Sequence, residues 1–98
     1  MKGRNPTKAE KTHMDAVRAL GCIVCRIEYG GYRDAAIHHC DGKTKPGAHM
    51  KVLPLCYEHH QGGSDSPPFI SRHPYKARFE AAYGTEAELM ERTAELLA

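Results

Sequence analysis

The sequence predicts an α+β domain in which a strand–turn–strand–helix core is gathered around bound zinc and flanked by further helices. Three observations carry that expectation. All four cysteines and five of the seven histidines fall between Cys22 and His60, a concentration of metal donors in the middle of the chain. Two short apolar runs, residues 35–37 and 50–55, bracket a loop rich in Gly, Lys, Thr and Pro, and a helix-opening segment follows. Thr-x-x-Glu pairs at Thr7/Glu10 and Thr85/Glu88 have the form of capping boxes and mark helices on either side of that core.

The chain has 98 residues, enough for one domain, or one domain with a short arm. A chain of this size buries roughly two-thirds of its unfolded surface, a modest core that a metal would help to staple. No run of about 18 apolar residues is present, so no membrane span is expected. Residues 1–11 carry charges but no apolar stretch and do not read as a secretory signal, so a cytoplasmic setting is expected. Reduced cysteines at this spacing point to metal. The alternative is a two-disulfide framework, although Cys-x-x-Cys pairs make poor native cross-links. Charge is uneven along the chain. Residues 1–51 hold ten Lys/Arg against five Asp/Glu, and residues 52–98 hold four against seven. A basic N-terminal half suits a polyanion or serves as a solubilising arm; charge alone does not decide between them.

Residues 1–6 read as a basic arm. The Thr7 box opens a helix from Lys8 to Leu20 with Met14, Val17 and Leu20 near one face, and Gly21 is its natural stop. Its apolar face is thin, so it should pack on the domain without being central to it. Residues 1–21 thus form an arm and helix, and 22–98 the zinc-stabilised domain. Cys22 to Cys25 reads as a tight knuckle, and residues 29–34 as a turn. Residues 35–37 make a short strand leading into His38-His39, and 41–47 a loop exposing Lys43 and Lys45. Residues 50–55 read as a second strand or an extended lead-in, and Pro54 argues against a central strand position. Cys56 to Gln61 opens a helix that Gly62-Gly63 stops. After a loop over 64–74, Pro74 starts a helix running to Tyr83. Gly84 ends that one, and Thr85 caps a last helix to about Leu97. On it Leu89, Thr93, Leu96 and Leu97 share a face.

Tetrahedral zinc usually draws two ligands from each of two knuckles. Cys22-x-x-Cys25 supplies the first pair here and Cys56-x-x-His59 the second. The thirty residues between Cys25 and Cys56 are enough for a hairpin. The alternatives for Cys40 are to replace one of these four or to be a buried small hydrophobe; without a partner at knuckle spacing it reads as a spare. His38, His39, His49, His60 and His73 remain. Neighbours on a strand point to opposite faces, so His38 and His39 cannot both ligate one ion in a regular strand. One can hold a metal while the other takes a proton from water. His59 and His60, about 100° apart on a helix, can likewise serve two different sites.

These residues resemble the HNH (ββα-metal) endonucleases. More specifically they resemble the phage recombination-enhancement proteins called Ref, which are RecA-dependent nucleases. The likeness runs through His38-His39-Cys40-Asp41-Gly42-Lys43-Thr44-Lys45-Pro46-Gly47-Ala48-His49, then Leu53-Pro54-Leu55-Cys56 and His59-His60-Gln61. It continues in His73-Pro74-Tyr75-Lys76-Ala77-Arg78-Phe79-Glu80 and Tyr83-Gly84-Thr85, so that it covers about residues 21–98.

The resemblance implies metal-dependent hydrolysis of a DNA phosphodiester in a bacterial host, with a phage or prophage origin. By the HNH pattern, His38 and His60 become catalytic-metal ligands, for Mg²⁺ or another divalent ion, and His39 the general base. The asparagine that normally orients the base is missing between His39 and Cys56, and His49 is the nearest polar candidate. A third ligand is needed. HNH sites often take it one turn further along the helix, but position 64 is Ser64, so the candidates are His73 and its rival Asp65. Lys43, Lys45 and Lys51 are expected to hold the DNA backbone. A RecA filament is the partner that the family adds. A zinc-stabilised module that binds DNA or protein without chemistry is the competing expectation. It accounts for Cys22, Cys25, Cys56 and His59 but leaves His38, His39, His60 and His73 unexplained.

Overall fold

The computed structural model describes residues 5–40 and 47–98, which form an α+β domain. In chain order the elements are α1 (Lys8–Ala19), α2 (Ile23–Tyr29), β1 (Ala36–His39), a 3₁₀ turn (Ala48–Met50), β2 (Val52–Leu55), α3 (Tyr57–His60), α4 (Lys76–Tyr83) and α5 (Glu86–Leu97). The loop positions Lys43 and Lys45 lie outside the described residues.

Both capping boxes form. Thr7 Oγ1 accepts the Glu10 N–H at 3.1 Å while the Glu10 carboxylate accepts the Thr7 N–H at 2.8 Å. Thr85 and Glu88 repeat the arrangement at 3.1 and 2.8 Å. Such caps satisfy amides that a helix start would otherwise leave orphaned, and each is worth ~1 kcal/mol. α1 stops before Gly21, whose φ of +76° is a left-handed conformation. A side chain there would also meet the Tyr32 ring at 2.6 Å and the Arg33 carbonyl at 2.9 Å. That closeness lets the returning chain lock on, and the Cys22 N–H donates to Arg33 O at 2.9 Å. α1 sends Val17 alone into the core and lies against both strands, the 3₁₀ turn and α5.

Cys22 to Cys25 is a helix start, where the sequence reading has a tight knuckle. Ile23 and Val24 are fully buried, and that burial favours a regular helix whose apolar first turn enters the core. β1 and β2 pair antiparallel in the register Ala36↔Leu55, Ile37↔Pro54, His38↔Leu53 and His39↔Val52. In a sheet of two strands each strand keeps an open edge, so Pro54, lacking an N–H, is tolerated. The strand alternation turns His38 inward, 3% exposed, and leaves His39 half-buried on the other face.

The core joins Ile23, Val24, Leu53, Leu55, Ile70, Phe79 and Leu89 to three cysteines, Cys22, Cys25 and Cys56. Two local expectations differ from what forms. α4 begins at Lys76, two residues after Pro74, because Tyr75 serves as its N-cap. On α5, Leu89 and Thr93 are buried but Leu96 and Leu97 are 41% and 36% exposed. The last turn lies at the edge of the core, which covers these two residues only in part.

Candidate metal centres

Two helices supply the first group of donors in the same way. Cys22 is the N-cap of α2 and Cys25 lies three residues on; Cys56 is the N-cap of α3 and His59 lies three residues on. Side chains at that spacing are neighbours. Neither cysteine makes a side-chain cap bond, so both thiols are turned to the cluster instead. His59 Nδ1 sits 3.5, 3.6 and 3.2 Å from the sulfurs of Cys22, Cys25 and Cys56, and Cys25 Sγ is 4.0 Å from Cys56 Sγ. Tetrahedral zinc, with Zn–S ≈ 2.3 Å and Zn–N ≈ 2.0 Å, requires edges of about 3.5 Å (S···N) and about 3.8 Å (S···S). The four donors therefore fit such an ion.

The surroundings support that fit. His59 Nε2 donates to the Pro68 carbonyl at 2.9 Å, which leaves the Nδ1 lone pair facing the sulfurs. The same carbonyl accepts the hydroxyls of Tyr29 at 2.9 Å and Tyr83 at 2.7 Å and is thereby fixed in place. The Cys56 thiol is pushed up to about 12, first by its hydrogen bond with Cys22 and then by burial. Burial raises Cys25 as well, while the bond with Cys56 lowers Cys22. Three buried thiols so close together resist joint ionisation, and a divalent cation is the group that would let all of them ionise.

The second group is made of imidazoles. His38 Nδ1 lies 3.2 Å from His60 Nε2. The ring of His73 stands 5.3 Å from both of the other rings. One nitrogen from each of the three falls within 4.8 Å of the others. The group grades from buried His38 through half-buried His60 to exposed His73, so it opens to solvent on the His73 side. His73 returns to α3 because residues 71–73 cap that helix's last carbonyls. The Arg72 N–H donates to His59 O and the His73 N–H to His60 O, both at 2.8 Å, and Ser71 Oγ donates to Glu58 O at 2.6 Å. Asp65, the rival candidate, is outside this group; it is exposed and pairs with Arg78 at 3.7 Å. Burial, then the neighbouring His38, His73 and Arg72 charges, lower His60 to about 4. Burial also lowers His38 against the pull of Glu86. Both rings are therefore neutral at neutral pH, with lone pairs to offer a cation.

On the opposite face of β1, His39 Nε2 lies 3.0 Å from Nδ1 of His49, which the 3₁₀ turn buries. Lys51 is exposed beside the start of β2.

Sequence reasoning missed Glu86, Arg72 and a place for Cys40. Glu86 Oε2 lies 2.6 Å from His38 Nε2 and 2.7 Å from Arg72 Nε. Burial works to raise the Glu86 carboxyl, but the hydrogen bonds from His38 and Arg72 prevail and hold it below the usual carboxylate range. Cys40, read from sequence as a spare, is half-buried against the core and within 4.8 Å of donors on His38 and Glu86. No spacing rule connects residues 38 and 86; only the packing of α5 brings them together.

The fold and these groups define a small α+β domain with a four-donor set sealed in the core, a three-histidine set open to solvent, and a third set of His38, Cys40 and Glu86 that shares His38 with the second, each with the donors to hold a metal ion. The chain belongs to the recombination enhancement, RecA-dependent nuclease family, whose model matches residues 6–98. DNA and RecA are the partners that a nuclease of this description implies. Among the described residues no helix is long and apolar enough to cross a membrane.

Proposed function

We propose that the chain is a metal-dependent DNA endonuclease of the HNH (ββα-metal) type that acts with a RecA filament. In this reading Cys22, Cys25, Cys56 and His59 hold a structural zinc, and His38, His60 and His73 hold the catalytic ion. The observation that carries it is the split at His38-His39. One imidazole joins a three-histidine group open to solvent, and its neighbour, on the other strand face, is hydrogen-bonded to a buried histidine. A site with three protein donors leaves coordination positions for water and phosphate. The bound ion would polarise a phosphoryl oxygen and stabilise the leaving 3′ oxygen. Imidazole donors favour a first-row transition ion over Mg²⁺.

The chain's own residues do the remaining work. His39 accepts the proton of the attacking water. The 3.0 Å bond between His39 Nε2 and His49 Nδ1 holds the ring against rotation; in the tautomer that acts as the base, Nε2–H donates to His49 and the lone pair is on Nδ1. Lys51, with Lys43 and Lys45, grips the phosphate backbone without reading sequence. The defining experiment combines the protein with single-stranded DNA, RecA, ATP, Mg²⁺ and a matching duplex, with and without added Mn²⁺. Cleavage confined to the paired region is expected. Folded, zinc-loaded protein that cuts nothing under any of these conditions, and binds only one ion, would instead be the non-catalytic binding module. Equal cutting without RecA would remove the filament from the reading.

Ligand assignment at the second site has its own test. Losing His73 is expected to weaken the exchangeable ion by more than about tenfold, since even outer-shell changes cost metal sites 10–100-fold. Asp65→Ala should bind as wild type. A metal titration of both variants with the structural zinc in place decides between them, and the reverse pattern would make Asp65 the ligand.

A further inference from the structure

We propose that Glu86, at the start of α5, is a positioning residue for the His38 site, fixing the tautomer and orientation in which His38 offers Nδ1 to His60 and His73. The proposal rests on the second metal site of the preceding section. A neutral imidazole carries one N–H, and which nitrogen bears it is set by the partner of the other. Oε2 of Glu86 is 2.6 Å from His38 Nε2, and a carboxylate can only accept, so the proton belongs on Nε2. The lone pair is then left on Nδ1, which is the nitrogen that lies 3.2 Å from His60 Nε2. Carboxylate–histidine–metal relays of this kind orient ligands and raise their basicity.

Glu86 is itself held. Its side chain is 12% exposed, Arg72 Nε donates to the same Oε2 at 2.7 Å, and the residue opens a twelve-residue helix whose N-terminus favours a carboxylate. Arg72 directly precedes His73, and its backbone N–H is bound to His59 O. One carboxylate thus braces His38 directly and the His73 segment through Arg72, tying α5 to both ends of the histidine group. Glu86 could instead be a ligand, since with His38 and Cys40 it forms a third donor set. The doubly hydrogen-bonded Oε2 and the adjacent guanidinium charge argue against that, because a cation there would have to replace the proton between His38 Nε2 and Glu86 Oε2 and face Arg72.

The test uses Co²⁺ as the probe, added to protein whose structural zinc is in place, together with ¹⁵N NMR of the histidine rings. Wild type is expected to show His38 protonated on Nε2. Glu86→Ala is expected to lose about 10–100-fold in Co²⁺ affinity, with zinc content unchanged and a mixed tautomer at His38. Glu86→Gln, which keeps an acceptor, should restore the Nε2–H tautomer and part of the affinity. A wild-type His38 protonated on Nδ1 would overturn the proposal even if Glu86→Ala failed to fold. So would Glu86→Ala protein that keeps wild-type affinity, or equal loss in Glu86→Ala and Cys40→Ala with a thiolate band in the Co²⁺ spectrum. His38→Ala separates the two levels. If it binds Co²⁺ like wild type, the second site itself is wrong. If it loses the ion while Glu86→Ala does not, only the positioning role falls.

Discussion

Cys22→Ser or Cys56→Ser protein is expected to be largely unfolded at neutral pH. Both sulfurs are buried, 1% and 2% exposed, and they sit inside the same cluster as Ile23, Leu53, Leu55 and Phe79. Zinc bound to a Cys/His set contributes about 10–16 kcal/mol in small metallo-domains, and a domain's whole stability is about 5–15 kcal/mol. Removing one ligand thus risks the entire margin. It also leaves the remaining thiols and His59 Nδ1 facing one another in the core without the cation that reconciles them. A strong chelator should act in the same direction on the wild type. Cys40→Ser is the control; it lies outside this donor set and should keep its zinc. The measurements are zinc content and the far-ultraviolet circular dichroism melt. A Cys22→Ser protein that melts cooperatively with no bound zinc would show that the fold does not depend on this site.

His39→Ala is expected to lose about 10²–10⁴-fold in cleavage rate, the usual worth of general-base help, while keeping its melting temperature and both ions. His39 is half-buried on the face of β1 away from the buried His38, so truncating it opens no core cavity. His49→Ala should slow cleavage in the same sense but less, because it removes the brace and leaves the base. Single-turnover cleavage with the RecA filament in place, read beside ion content, separates the possibilities. A near wild-type rate would remove His39 from the mechanism. A lost rate accompanied by a lost second ion would exchange the roles of His38 and His39.

What the sequence by itself determined is whatever depends on near neighbours. Thr7/Glu10 and Thr85/Glu88 are legible as helix starts because a capping box closes within three residues. Cys22/Cys25 and Cys56/His59 are legible as donor pairs because each spans three residues, and the structure brings those four side chains together. The opposite orientation of His38 and His39 follows from the strand repeat alone.

Tertiary structure decided everything that depends on where distant segments meet. Whether Cys22–Cys25 is a knuckle or a helix start turned on the burial of Ile23 and Val24. Whether Leu96 and Leu97 are core turned on how far the core extends beneath α5. Gathering His38, His60 and His73 required backbone bonds from residues 72 and 73 to the end of α3, which no periodicity encodes. Glu86 reads in the sequence as one more acidic residue in a helix's first turn, 48 positions from the histidine that it touches. Hydrogen bonds between distant segments, unlike hydrophobic patterning or a capping box, leave no fixed spacing in the chain. They specify only that a partner must exist, and the folded path of the chain selects which one.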